Sequence, residues 1–260
     1  METLIVERRD GVVTVTMNRP ERKNAADSVM LNELPAVFAE IEHNMADRVM
    51  ILTGAGGSFC TGADLSDPLG PATDPSRSGI QRMRRLGDVA LALHRVTKPT
   101  IAKVDGHAVG AGLSLALGCD LIVCSDRAKL SMIFAQRGLS LDNGASWLLP
   151  RLVGLARAKE IALFGGMWSG EDALALGLVN RVIPEAELDA FVDGWAATLA
   201  AGPTMALSMT KTLLNESMHS SMEQAVEHEA RCQAVNFESR DTAEALAAFS
   251  EKRQPTYVGR

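Results

Sequence analysis

Two glycine-rich turns and one aspartate hold most of the chemistry this sequence can offer. The segments TGAGGSFCTGADL (Thr53 to Leu65) and DGHAVGAGLSLALGCD (Asp105 to Asp120) each follow a short apolar run. Both are rich in residues small enough for backbone to approach another group closely. The second opens a helical stretch, so its free N–H groups and positive dipole end face whatever occupies the turn. Two such turns can aim one N–H each at a single carbonyl oxygen. That is an oxyanion hole, worth roughly 2.7–4 kcal/mol per donor once the oxygen becomes negative. The same composition also suits two tight strand-to-helix connections, and the residue types alone do not choose between the readings. A nucleotide site is disfavoured, because the first turn has neither the GxxxxGK[ST] spacing nor a strand–GxGxxG–helix context. Asp142, in RGLSLDNGASWLLPR, stands beside Asn143 and Gly144 ahead of a predicted helix. An aspartate there suits an N-cap or a turn.

Other reactive residue types assemble less well. Ser114 lacks a GxSxG elbow, and no histidine–acid pair can be assigned to it. His107 lies in the second turn as a pocket-lining or surface residue. His219 and His228 sit in the C-terminal stretch and form no metal-ligand spacing with cysteines or acids, so no metal is indicated. Arg82, Arg84 and Arg85 read as a solvated helix face, with contact to phosphate as the alternative. The four cysteines, Cys60, Cys119, Cys124 and Cys232, are scattered without a CxxC pair and suit a reducing compartment.

These residues need a scaffold, and the chain of 260 residues is long enough for one large core. Leu4 to Val6 and Val12 to Met17 read as strands joined at Asp10-Gly11. A helix is predicted from Ser28, with Met30, Leu31, Leu34, Val37, Phe38 and Ile41 on one face. Val49 to Leu52 reads as a buried strand, followed by a proline- and glycine-rich loop (Asp67 to Gly79) and a helix from about Ile80 to Arg95. Thr100 to Val104, Leu121 to Cys124 and Leu130 to Ile133 are the next expected strands. This alternation is that of an α/β sheet domain. From Ala186 onward the pattern is nearly all helical, broken at Pro203.

The formal net charge of -6 argues against a nucleic-acid partner. The longest apolar stretch, Leu113 to Cys124, is interrupted by Asp120 and is too short to cross a bilayer. METLIVERRD carries no signal-type apolar core, so a cytoplasmic location is expected.

Several ordered segments resemble the crotonase, or enoyl-CoA hydratase/isomerase, superfamily over nearly the whole chain. They are NRPERKNA (Asn18 to Ala25), FCTGADL (Phe59 to Leu65), KPTIAKVDGHAVGAG (Lys98 to Gly112) and ALGCDLIVCSDRAKL (Ala116 to Leu130), then WLLPRLVG (Trp147 to Gly154) and DALALGLVNRVIP (Asp172 to Pro184). The resemblance implies a β/α spiral core over residues 1–185 and a helical C-terminal trimerisation region over 186–260, assembling as trimers or dimers of trimers. It implies an acyl-CoA thioester as substrate, with coenzyme A as part of that substrate and no permanently bound cofactor. It places the oxyanion-hole amides at Ala63 and at Ala111 in the Gly110-Ala111-Gly112 turn. Coenzyme A contacts follow at Arg22, Lys23, Ala25, Thr61, Gly62 and Asp64, with Lys252 reaching a neighbouring subunit's ligand. Hydratases of this superfamily use two glutamates; counted without gaps, those positions fall at Ser114 and Phe134, neither a carboxylate. SMIFAQRGLSLDNGASWLLPRLVGLARA (Ser131 to Ala158) is more similar to 1,2-epoxyphenylacetyl-CoA isomerase-like members of phenylacetate breakdown, which place a catalytic aspartate where Asp142 stands. The implied activity is a proton shift or ring rearrangement next to a thioester, with Asp142 raised in pKa among Leu139, Leu141 and Trp147. Hydration, nucleophilic attack by Asp142 as in the superfamily's dehalogenases, and acyl-CoA binding without catalysis are the alternatives.

Overall fold

The computed structural model describes residues 1–67 and 75–260. Part of the loop expected between Asp67 and Gly79 therefore lies outside the described residues.

The chain begins as a hairpin, β1 (Leu4–Arg9) and β2 (Val12–Met17), in antiparallel register. Asp10 and Gly11 both take left-handed φ (51° and 80°), the two-residue turn whose twist matches its strands. Helix α1 (Ser28–His43) starts where the Asp27 side chain accepts the Met30 N–H at 2.9 Å, and it buries the predicted apolar face. Strand β3 (Val49–Gly54) follows, then α2 (Gly79–His94), opened by a capping box between Ser78 and Gln81. Next come β4 (Thr100–Val104), β5 (His107–Val109), α3 (Ala111–Leu117), β6 (Leu121–Ser125) and β7 (Lys129–Ser131).

The strand expected to reach Ile133 stops at Ser131. Its partners end there: Val109 on one side is the last residue of β5, and the two residues of β8 on the other pair only with Lys129 and Leu130. Residues Ile133–Arg137 instead form a 3-10 turn. The chain continues through α4 (Ala145–Val153), α5 (Leu155–Phe164), β8 (Trp168–Ser169), α6 (Gly170–Leu176) and β9 (Arg181–Ile183). Four helices close it: α7 (Leu188–Ala201), α8 (Thr204–Ser217), α9 (Met222–Phe237) and α10 (Arg240–Glu251).

The larger sheet runs β1-β2-β3-β4-β6-β9, parallel throughout except for the first hairpin; β5-β7-β8 form a second, smaller sheet. The central parallel strands are apolar on both faces because both faces are covered. Met50, Leu52, Ala102, Ile122 and Cys124 point into the main core. The alternate residues Val49, Ile51, Ile101 and Val123 meet Leu188, Val192, Ala196 and Ala200, the four-residue stripe of α7. Full burial of a valine such as Val192 is worth about 1.5–3 kcal/mol. Beyond α7, helices α8 and α9 bury no side chain fully. Arg48 ties this region to the sheet domain, donating to the Thr204 hydroxyl and the Gly202 carbonyl, each at 2.7 Å. No helix among the described residues is long and apolar enough to cross a membrane, and all four cysteines are free thiols.

Candidate active site

The two glycine-rich turns meet. The Cys60 N–H donates to the His107 carbonyl and the Val109 N–H to the Cys60 carbonyl, both at 2.9 Å, so the first turn pairs along β5. A Cβ on Gly112 would lie 2.2 Å from the Cys60 carbonyl oxygen, an approach only glycine permits. A Cβ on Gly62 would lie 3.4 Å from the Ala111 nitrogen, which puts Ala63 and Ala111 on facing turns. Ala63 and Ala111 are among the donors that the two turns leave unused. Ala26 gives its N–H to Gly62 and accepts the Asp64 N–H, both at 2.8 Å, so the intervening Ala63 N–H points to the opposite side of this bridge. Ala111 is the first residue of α3 and has no partner a turn earlier. Among the described residues, neither N–H donates to a protein acceptor. Gly110 holds φ 56° and ψ -126° at this helix start, a conformation that residues with a Cβ avoid.

Asp142 does not cap α4. Gly144 occupies the N-cap position and no side chain caps it, while Asn143 and Gly144 both take left-handed φ (48° and 81°). The Asp142 carboxylate is half-buried, with Oδ1 enclosed and unpaired. Burial without a compensating hydrogen bond pushes its pKa up to about 6. Of the apolar neighbours expected for it, Leu141 and Trp147 are half-buried, but Leu139 is turned outward because it follows the exposed end of the 3-10 turn. Asn143, 7% exposed, links this loop to the paired turns: its Nδ2 donates to the Ala111 carbonyl at 3.3 Å. Ser114 spends its buried hydroxyl on the Gly110 carbonyl at 3.2 Å. Phe134 is buried, its ring tip 3.9 Å from where a Gly110 Cβ would stand. The site holds no carboxylate at either position.

A chamber of about 420 Å³ adjoins Asn143 and Ser114. Leu93, His94, Leu115, Trp147, Leu148 and His219 make its walls. His219 is thus a wall residue, its ring 5.7 Å from that of Trp147.

The residues expected to contact coenzyme A lie on the loop after β2 and on the first turn, with Lys252 elsewhere. Arg22 and Lys23 are exposed. Thr61 fastens their loop, giving its N–H to the Lys23 carbonyl at 3.2 Å. Lys23 also lies near His107, whose pKa is held below its ordinary value by burial and then by Lys23 and Lys129. Asp64 forms an ion pair with Arg19 at 3.1 Å. Burial alone would raise its pKa, but hydrogen bonds from Ser66 and Arg19 keep it low. Arg19 also meets Asp27 at 3.2 Å and donates to the Ala25 carbonyl at 2.5 Å. Lys252 lies apart, at the exposed left-handed C-cap of α10, which packs on α9. Arg85 departs from the solvated-face reading: it donates to Asn32 Oδ1 at 2.8 Å and ties α2 to α1.

Three residues that matter here were not singled out from sequence: Arg19, Asn143 and Asn24. Asn24 is fully buried and donates to the Ala55 and Ser58 carbonyls at 2.8 and 2.7 Å while accepting the Arg19 N–H at 2.9 Å. Their signal was present in NRPERKNA and in LDNG, where asparagine tolerates left-handed φ and serves backbone groups.

Sheet order, crossed turns and helical tail define the class: a crotonase-type spiral core with a helical C-terminal region. The crystal structure of an enoyl-CoA hydratase from Bacillus anthracis superposes with a TM-score of 0.94 at 28% identity, covering 99% of this chain and 100% of that one. The enoyl-CoA hydratase/isomerase family model matches residues 7–260, and the chain belongs to this family of enzymes acting on coenzyme A thioesters. It is 36% identical to the 1,2-epoxyphenylacetyl-CoA isomerase of Escherichia coli (strain K12), over 100% of both chains. It is 35% identical to 4-chlorobenzoyl coenzyme A dehalogenase-2 of an Arthrobacter species, over 95% of this chain and 90% of the relative.

Proposed function

We propose that this protein is an acyl-CoA isomerase that shifts a double bond or rearranges a ring next to the thioester, with one aspartate as both base and acid. The observation that carries this reading is the enclosed, unpaired Oδ1 of Asp142, tied through Asn143 to the Ala111 turn. The thioester oxygen accepts hydrogen bonds from the Ala63 and Ala111 N–H groups, with Gly110 supplying the backbone angle that presents the second. As Asp142 takes a proton, the C–H electron pair moves into the carbonyl and the two donors hold the resulting enolate oxygen. The electron pair then returns at a different carbon, which recovers the proton from the Asp142 carboxyl. No external water enters the balance.

Water addition needs one group to activate water and another to deliver a proton; Ser114 and Phe134 can do neither. The coenzyme's phosphates lie against Arg22 and Lys23, whose cations suit phosphate oxygens. Ala25, Thr61 and Gly62 line the run toward the turns, and Asp64 acts with Arg19 to hold that loop. Lys252 joins the set from a neighbouring subunit.

The test is exchange of α-hydrogens of acyl-CoAs in deuterated water, followed by NMR, alongside isomerisation of an enoyl-CoA. Asp142→Asn is expected to lower both by about 100- to 10,000-fold while coenzyme A still binds. Full turnover by the variant would remove the basis of the reading. Formation of 3-hydroxybutyryl-CoA from crotonyl-CoA at a comparable rate would make the enzyme a hydratase instead.

A further inference from the structure

Three hollows stand in series behind the paired turns, each sharing walls with the next. The first lies against Gly62, Ala111, Leu115 and Asn143. Leu115 and Asn143 also line the 420 Å³ chamber. That chamber in turn shares His94, Gly118, Trp147 and Leu148 with a groove of about 550 Å³ between the sheet domain and α8. Leu117, Leu121, Leu199 and Leu207 give the groove a largely apolar lining, beside the Lys211–Asp120 ion pair at 2.8 Å. The first is a gap of only about 10 Å³, so the chamber is the nearest space large enough for the acyl group of a thioester held at the turns, and the groove lies beyond the wall that the two share.

Trp147 is the largest side chain of that wall, and it is pinned. The Arg151 guanidinium lies 4.0 Å from its ring centroid, and Arg151 Nη1 donates to the Trp147 carbonyl at 2.9 Å. His94 meets the ring edge-on at 5.4 Å, and His219 lies tilted at 5.7 Å. A ring held on several sides does not swing aside as readily as a free rotamer.

We infer that Trp147 is the specificity-determining residue for acyl length: it closes the chamber at a medium-sized or single-ring acyl group and bars longer chains from an apolar groove that lies ready to take them. This rests on the acyl-CoA reading above but not on its proton chemistry.

The experiment uses S-alkyl-CoA thioethers, which keep the chain but have no carbonyl to enolise, in calorimetric titrations of the full chain. For the wild type, affinity is expected to rise from butyl to octyl and to level off or fall at tetradecyl. Trp147→Ala should bind the tetradecyl thioether at least tenfold more tightly than the wild type does, with butyl changed less than threefold. Trp147→Phe, which keeps a ring in the wall, should follow the wild type. Equal weakening at every length, no change at any length, or a wild-type affinity that keeps climbing to tetradecyl would overturn the gate. Should Trp147→Ala not fold, Trp147→Leu carries the same expectation. Failure of the isomerase reading shows elsewhere, as absent α-exchange with thioether binding intact; no thioether binding by the wild type would sink both.

Discussion

A carboxylate enclosed without a partner resists ionisation, and Asp142 is such a group; in the proposed reaction that resistance would suit it to act as a base near neutral pH. With its pKa near 6, kcat/KM for α-exchange should rise about tenfold per pH unit below 6 and level off above it. Asp142→Asn should abolish that limb, and a flat wild-type profile between pH 5 and 7 would assign the base elsewhere. The same shift has a stability consequence. Because the folded pKa exceeds the ordinary 3.8, the folded chain holds this proton more tightly than the unfolded chain does. The stabilisation is complete below about pH 4 and is lost as pH rises through about 6. Asp142→Asn, always neutral, should therefore be more stable than the wild type at pH 8, by on the order of 2 kcal/mol. That advantage should vanish near pH 4, as read from urea midpoints; a constant difference at both pH values would contradict the burial argument.

At the scale of elements, the site depends on how closely α3 can approach the turn after β3. Gly112→Ala drives a methyl group into the Cys60 carbonyl, backbone that cannot rotate away. Overpacking of this kind costs about 1–3 kcal/mol, and shifting α3 displaces the Ala111 donor as well. The variant should lose kcat for α-exchange by tenfold or more, because the donors matter most when the oxygen is charged, while thioether affinity changes little, since a thioether has no carbonyl oxygen for them to meet. Asn24 performs a different structural task, satisfying two carbonyls inside the first turn. Asn24→Ala leaves both unpaired and should lower stability by about 1–3 kcal/mol, visible as a lower urea midpoint with an unchanged m-value.

For the whole molecule, the C-terminal helices leave large apolar side chains exposed, the kind of surface that marks contact between proteins when it is contiguous. Met222, Leu246 and Phe249, on α9 and α10, are exposed, the last at 85%. We expect these helices to be covered by other copies of the chain, giving a trimer or a dimer of trimers in sedimentation. Phe249→Asp should shift the species toward monomer without loss of helical signal. A monomeric wild type at micromolar concentration would refute the assembly.

Local chemistry made much of this legible from the residues alone. Period-two and period-3.6 patterns marked most strands and helices, Asp10-Gly11 marked the hairpin, and the two glycine-rich turns were visible as places of close backbone approach. The resemblance put the hydratase glutamates at 114 and 134, where the sequence has serine and phenylalanine. Tertiary structure decided everything that depends on which distant group faces which. It ended β7 at Ser131 by running out of neighbouring strands and took Asp142 away from a capping role. It gave Arg19 to Asp64 and placed Trp147 between two hollows. Spacing along a chain reports propensity and periodicity, whereas burial, orientation and partner choice arise only when separate segments compete for the same space.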